Sequence, residues 1–395
     1  MSTSPLIVIG SGVAGWTTVR EFRKLDASTP VVLIAADSGD FYAKPTLSNA
    51  YAQKRGPAQL VTTPAGKMAE TLQVTLMDHA RVESLEPSAR TISVRKGDAV
   101  QSLSYRHLVL ATGAHPIRIP LQGDAAEQVR SINTLDDFAG FHAALGVDAT
   151  VPGSGEGKTV VIMGAGLIGC EFANDLALAG VRVHAADPAA RPLAALLPAE
   201  AGEQLQAALS GMGVQWHFGT SVASVNAEAG GKLLATLGDG STVLADLVLS
   251  AIGLRADTAL AQAAGLACER GVLVNVNLET SAPDVYALGD CAQYESAGQR
   301  TLPYVMPVMT AARALAATLA GTRTEVVFPL MPVSIKTPAL PIVVAAAHPA
   351  MTGQWEAEGG EGAWRFMDAD GQQRGFVLTG KSTSRRMEMA KLTTI

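Results

Sequence analysis

Apolar positions in this chain fall into short continuous runs separated by glycine-bearing turns and stretches of helical period. The first run, Leu6-Ile-Val-Ile9, does not alternate with polar residues, which predicts a strand buried on both faces of a parallel sheet. It opens into Gly10-Ser-Gly-Val-Ala-Gly15, a helix to about Leu25, and a strand over residues 31–36 that ends at Asp37. The same succession returns 154 residues later: Val160-Val-Ile-Met163, Gly164-Ala-Gly-Leu-Ile-Gly169, a helix to about Ala179, a strand over residues 181–186, and Asp187. The echo predicts two nucleotide-binding α/β units. Residues 146–158, rich in Gly, Ser and Pro, read as a flexible connector into the second unit. Beyond Gly321 the pattern changes. Pro329, Pro332, Pro338, Pro341 and Pro349 interrupt short strands, and a strand pair around Gly375 follows, predicting a small α+β domain.

The glycine spacing has a mechanical reason. The first glycine turns the chain tightly out of the strand, the second lets a pyrophosphate lie against backbone, and the third lets helix and strand close up. The phosphates then meet the unpaired N–H groups and dipole at the helix start. Gly10, Gly12, Ala14 and Gly15, and Gly164, Gly166, Ile168 and Gly169, are therefore candidate cofactor contacts. Asp37, 22 residues past Gly15, and Asp187, 18 past Gly169, stand where a carboxylate accepts ribose hydroxyls. In the second unit such an acid repels a 2′-phosphate, so NADH is expected over NADPH; Arg182 and Arg191 leave NADPH open. Two fingerprints call for two dinucleotides, and non-covalently bound FAD with NADH is the simplest pair.

Composition narrows the class. Hydrophobic residues make up 48% and charged residues 17% of 395 positions, which excludes disorder and supports two or three packed domains. The net charge of -6 and the lack of a dense basic run argue against nucleic acid. No apolar stretch is long enough to insert in a membrane, and the N-terminus lacks the pattern of a signal peptide, so the cytoplasm is the expected location. Cys170, Cys268 and Cys291 are scattered and form no C-x-x-C pair, which speaks against a disulfide framework. Cys170 and Cys291 read as small buried residues. No metal site is expected.

Two more segments fit a flavin and nicotinamide pair. Leu108-Val-Leu-Ala-Thr-Gly-Ala114 and Val285-Tyr-Ala-Leu-Gly-Asp-Cys-Ala292 resemble the Ala-Thr-Gly and Gly-Asp motifs of the glutathione-reductase-like flavoprotein reductases. The resemblance implies two Rossmann-like dinucleotide-binding domains plus the small α+β C-terminal domain. Their bounds would be 1–117 with 248–325 for FAD, 118–247 for NAD(P)H and 326–395 for the last. It also implies cofactor contacts at Ala111, Thr112, Gly113, Gly253, Gly289 and Asp290, the aspartate meeting a ribityl hydroxyl. Disulfide reductases of this superfamily carry a redox cysteine pair over the flavin. Where it would lie, this chain has Phe41-Tyr-Ala-Lys-Pro-Thr-Leu-Ser48, which resembles the Y-x-R/K-P-x-L-S segment of the ferredoxin and rubredoxin reductases. Electrons reaching the flavin must then leave to another molecule.

Within that branch, Leu302-Pro-Tyr-Val-Met-Pro-Val-Met-Thr-Ala-Ala-Arg-Ala-Leu-Ala316 and Pro332-Val-Ser-Ile-Lys-Thr-Pro-Ala-Leu-Pro-Ile-Val-Val344 resemble the NAD(P)H:rubredoxin reductases of bacterial alkane-oxidising systems. The resemblance places Pro45 on the isoalloxazine with Lys44 beside it. It puts Glu171 near the flavin N5, where it could pair with Lys44, and Lys336 near the N1–C2=O edge as a stabilising cation. Without it, Lys336 reads as an exposed strand-end lysine. Asn49 stands where many ferredoxin reductases have a lysine, which favours the rubredoxin branch. The implied activity is hydride transfer from NADH to FAD and single-electron transfer to rubredoxin or another small iron carrier. Its rivals are a ferredoxin reductase, an NADH oxidase and a non-catalytic NADH-sensing flavoprotein. Lys381, Arg385, Arg386 and Lys391 could meet an acidic carrier or simply be solvated, the latter being the better reading.

Overall fold

The computed structural model describes residues 4–360 and 362–394. The chain forms two compact units, one of Met1–Lys44, Val61–His115 and Leu254–Pro329, the other of Pro45–Leu60, Pro116–Gly253 and Leu330–Ile395.

The first unit is built on a five-stranded parallel sheet in the order Val285–Ala287, His107–Leu110, Leu6–Ile9, Val31–Ile34, Thr75–Met77. Leu6 to Ile9 are all buried, as an uninterrupted apolar strand in a parallel sheet requires. The helix Val13–Arg23 buries Trp16, Val19 and Phe22, and it packs on the helix Val305–Leu319, whose Ala311, Ala312 and Ala316 let the two backbones come close. Between the Thr75–Met77 and His107–Leu110 strands the chain makes an antiparallel three-stranded meander, Ala80–Glu86, Thr91–Lys96 and Ala99–Ser104.

The second unit repeats this plan. Its parallel sheet runs Leu247–Ser250, Thr159–Met163, Arg182–Asp187, Gln215–Phe218, with the fingerprint strand again between the last strand and the acid-bearing one. A second meander, Val222–Glu228, Lys232–Leu237 and Thr242–Ala245, again precedes the last strand. The sequence echo is therefore an echo of topology: strand, glycine helix, strand, helix, strand, meander, strand.

The C-terminal part of this unit joins the expected short, proline-punctuated strands and the strand pair around Gly375 into one sheet. Five antiparallel strands run in the order Val333–Ile335, Ile342–Ala345, Gln373–Thr379, Ala363–Asp368, Gly353–Ala357. Gly375 is needed there because a Cβ would lie 2.6 Å from the Ala345 carbonyl oxygen. The helix Arg386–Leu392 closes one face with the fully buried Met389.

The stretch 146–158 is not the flexible connector its composition suggests. Val147 is buried, Gly155 N–H donates to Ala179 O at 2.9 Å, and successive turns are hydrogen-bonded. Among the described residues no helix is long and apolar enough to cross a membrane.

Candidate functional site

The two fingerprints answer differently to the addition of a side chain. A Cβ on Gly10 would sit 2.1 Å from Ala111 O, and one on Gly15 1.8 Å from Gly10 O, so protein packing alone demands both glycines. A Cβ on Gly12 would meet nothing within 4 Å, and its φ of -66° suits any residue. The second fingerprint behaves alike: Gly164 and Gly169 are excluded by Ala251 O at 2.8 Å and Gly164 O at 2.0 Å, whereas Gly166 faces open space. The space before the middle glycine is the cradle a pyrophosphate would fill.

The helices behind the cradles, Val13–Arg23 and Leu167–Leu178, have no side-chain cap and no acid in the first turn. Their leading N–H groups and positive dipole ends are left for an anion. Both acid-bearing strand ends are tied back to the second residue of their own fingerprint. Asp37 Oδ1 accepts from Ser11 Oγ at 3.2 Å and Gly39 N at 2.9 Å. Asp187 accepts from Ala165 N at 2.6 Å and Ala189 N at 2.7 Å. Each carboxylate is thereby aimed beside its cradle. Arg191, a candidate ligand for a 2′-phosphate, instead donates to Leu197 O at 2.9 Å.

In the first unit the cradle is flanked by the two other motifs. Ala111 backs Gly10. Thr112 Oγ1 donates to Asp257 O, Gly113 O accepts from Asp257 N at 2.9 Å, and Gly113 holds a φ of +77° with open space at its Cβ. Gly289 (φ +81°) leaves only 2.8 Å between a would-be Cβ and that of Ala14. Asp290 follows on a single 3-10 turn, Gly289–Cys291. Burial raises its carboxyl above the ordinary range, and the Lys44 ammonium, 3.9 Å from Oδ2, pulls it back.

In the second unit the helix Leu167–Leu178 carries Glu171, 1% exposed. Its carboxylate accepts from Ser48 Oγ at 2.5 Å and Lys336 N at 2.9 Å, with Lys336 Nζ at 3.3 Å. The cation on Glu171 is Lys336, within the second unit, and within the first unit Lys44 lies beside Asp290. Lys336 is partly buried and paired, not the plain strand-end lysine of the unaided reading. Pro45 and Ser48 ride on the 3-10 turn Lys44–Asn49. On the same helix Asn174 accepts from Ala339 N, and Asp175 from Tyr51 N and Ala52 N. Neither Asn174 nor Asp175 was singled out as a site residue; the available signal was a run of polar residues on an otherwise apolar helix. Gly253 (φ +116°) ends the loop beside Ile117.

All three cysteines are free. Burial raises the Cys170 and Cys291 thiols, and each donates only to backbone carbonyls. They are packing residues, as expected.

Twin glycine cradles with aimed carboxylates, on sheets of one repeated topology, define the two-dinucleotide fold of the glutathione-reductase-like class. Residues 4–315 match the pyridine nucleotide-disulphide oxidoreductase family, and the chain belongs to it. As a member it is a flavin-dependent oxidoreductase that binds FAD and NAD(P)H. Residues 325–393 match the rubredoxin binding C-terminal domain. The chain is 43% identical over 390 residues to a rubredoxin-NAD(+) reductase of Alcanivorax borkumensis, covering 98% of each. It is 41% identical over 392 residues to one from Acinetobacter baylyi, covering 98% of this chain and 97% of that one. In fold it is similar to the reductase in a covalent putidaredoxin reductase–putidaredoxin complex, with a TM-score of 0.86, 21% identity, and coverage of 100% and 94%.

Proposed function

We propose that this protein reduces rubredoxin with electrons taken from NADH. The observation that carries the reading is the pairing of two glycine cradles, one per dinucleotide, with a C-terminal segment matching a rubredoxin-binding domain. When bound, FAD supplies the conversion between a hydride taken as a pair and electrons released singly. The chain's own residues bind, orient and tune. Gly10, Gly12, Ala14, Gly15 and the helix start behind them hold the FAD pyrophosphate, and Asp37 its adenosine ribose. Ala111, Thr112, Gly113, Gly289 and Asp290 would hold the ribityl chain, with the raised Asp290 carboxyl suited to a hydroxyl partner. Lys44 and Pro45 would hold the flavin ring. Glu171, held by Ser48 and Lys336, would present a fixed charge pair to the flavin ring, with the Lys336 ammonium available to offset negative charge on it. Gly164, Gly166, Ile168 and Gly169 would hold the nicotinamide dinucleotide, and Gly253 would be a further cofactor contact.

The preference for NADH rests on two commitments. Asp187 is locked by two N–H donors, so a 2′-phosphate would meet a carboxylate, and Arg191 Nη2 already donates to Leu197 O, leaving the exposed Arg182 as the other cation near this strand. A rubredoxin iron takes four thiolates, which three scattered cysteines cannot supply, so the iron belongs to the partner.

The test is anaerobic stopped-flow reduction of purified holoprotein by NADH and NADPH, then mixing of the reduced protein with rubredoxin or a two-iron ferredoxin. The expected outcome is fast bleaching by NADH and faster reoxidation by rubredoxin. Faster reoxidation by ferredoxin would overturn the partner, and faster bleaching by NADPH the nucleotide.

A further inference from the structure

On the helix Leu167–Leu178, Glu171, Asn174 and Asp175 stand at i, i+3 and i+4 and so share one face. All are at most 1% exposed, among Cys170, Phe172, Ala173 and Leu176. Glu171 has a cation. Asp175 has none among the described residues; its oxygens meet the N–H of Tyr51 at 3.0 Å and of Ala52 at 2.7 Å. A buried carboxylate without a counter-ion is costly, and a neutral side chain of the same shape would cost less to bury. A neutral amide, however, offers one oxygen to two donors and turns its own NH2 toward the second. At Asp175 the two donors meet different oxygens, Tyr51 N–H on Oδ2 and Ala52 N–H on Oδ1, an arrangement that takes two acceptor oxygens and therefore a carboxylate.

We propose that Asp175 is a positioning residue: its carboxylate clamps the main chain at Tyr51 and Ala52 and thereby fixes the segment that carries Pro45 and Ser48. This rests on the function proposed above. The segment hangs from the helix at two points, Ser48 on Glu171 and the backbone of Tyr51 and Ala52 on Asp175. With one point it would pivot; with two its orientation is set. The same helix face holds the far segment, through Lys336 N–H on Glu171 and Ala339 N–H on Asn174. The helix whose first turn carries the second glycine cradle therefore also holds Pro45 and Lys336, the residues assigned to the flavin. Within the second unit one element thus carries both the nicotinamide cradle and the segments assigned to the flavin ring, where a displacement of about 1 Å is enough to slow transfer. Asp175 acts through that placement and touches no reacting atom.

The test compares Asp175→Asn with the wild-type holoprotein. Hydrogen–deuterium exchange should quicken about tenfold or more over residues 45–52 and stay unchanged over the strand Thr159–Met163. The hydride-transfer rate constant should fall about tenfold or more with the NADH dissociation constant within about twofold, and the unfolding midpoint near neutral pH should not drop. Exchange over residues 45–52 equal to wild type, or quickened exchange with wild-type hydride transfer, overturns the proposal. So does a lowered midpoint with quickened exchange throughout the unit, which would make Asp175 an ordinary core residue. Should the variant be insoluble, Asp175→Ser carries the same expectations, and insolubility of both also overturns it. A wild-type protein that is not bleached by NADH would instead defeat the functional reading, independently of the variant.

Discussion

Glu171 is a buried carboxylate with a hydroxyl, a main-chain N–H and an ammonium converging on it. Glu171→Gln keeps the shape, removes the charge and leaves Lys336 without its counter-ion. Because Lys336 is one-third exposed, the loss in stability is modest, about 1 kcal/mol, whereas the rate of flavin reduction by NADH should fall about tenfold or more. Urea unfolding and stopped-flow bleaching on the same preparation check the two halves. Asp175 gives a pH-dependent counterpart. Burial pushes its carboxyl up to about 6, above the unfolded value, so its contribution to stability is full in acid and is lost as pH rises through about 6. The urea midpoint of Asp175→Asn relative to wild type should therefore improve between about pH 4 and about pH 7, by an amount on the order of 3 kcal/mol. A flat difference across that range would contradict the raised carboxyl. Glu171 and Lys336 were named from the sequence through a family resemblance, but their mutual pairing was not. Asp175 went unread because its partners are main-chain N–H groups, which leave no mark in a sequence.

At the scale of elements, the glycine turns separate packing from binding. Gly12→Ala and Gly166→Ala add a methyl group to open space, so each protein should fold with nearly unchanged stability. Gly12→Ala should purify with well under one FAD per chain, while Gly166→Ala should keep its FAD and bind NADH about tenfold more weakly. Absorbance against protein mass and an NADH titration read both out. Gly15→Ala, 1.8 Å from Gly10 O, should instead fail to fold stably. These turns and their strands were legible because a continuous apolar run ending in spaced glycines has few other readings. Element ends were less so. The first helix stops at Arg23, short of the expected Leu25, where Asp26 draws the N–H groups of Ser28 and Thr29 into a turn. The C-terminal strands were legible singly, from their prolines and Gly375, but their union into one sheet was not, because it depends on Ile342–Ala345 pairing with the sequence-distant Gln373–Thr379. In 146–158, composition suggested looseness, while buried Val147 and the Gly155 to Ala179 hydrogen bond hold the stretch down.

Across the whole molecule, charge is unevenly spread. The chain carries a net -6, yet Lys381, Arg385, Arg386 and Lys391 face only Glu388 over residues 381–391, within the stretch that matches a rubredoxin-binding domain. Arg385 is occupied by Glu358 and Glu388, which leaves Lys381, Arg386 and Lys391 exposed beside Met387, 63% exposed, and Leu392, 53% exposed. A ferric or ferrous ion ringed by four thiolates is anionic in both states, so a patch of cations around exposed apolar side chains suits the approach of such a centre. Attraction of this kind is screened by salt: the Debye length shrinks from about 30 Å at 0.01 M to about 8 Å at 0.15 M. Over that range kcat/KM for rubredoxin should fall several-fold, and kcat/KM for an uncharged quinone should stay level. Arg386→Glu with Lys391→Glu should reproduce the loss at low salt and flatten the remaining salt dependence. Salt-insensitive rubredoxin reduction in the wild type would mean that these cations are merely solvated, the reading their sequence alone favours.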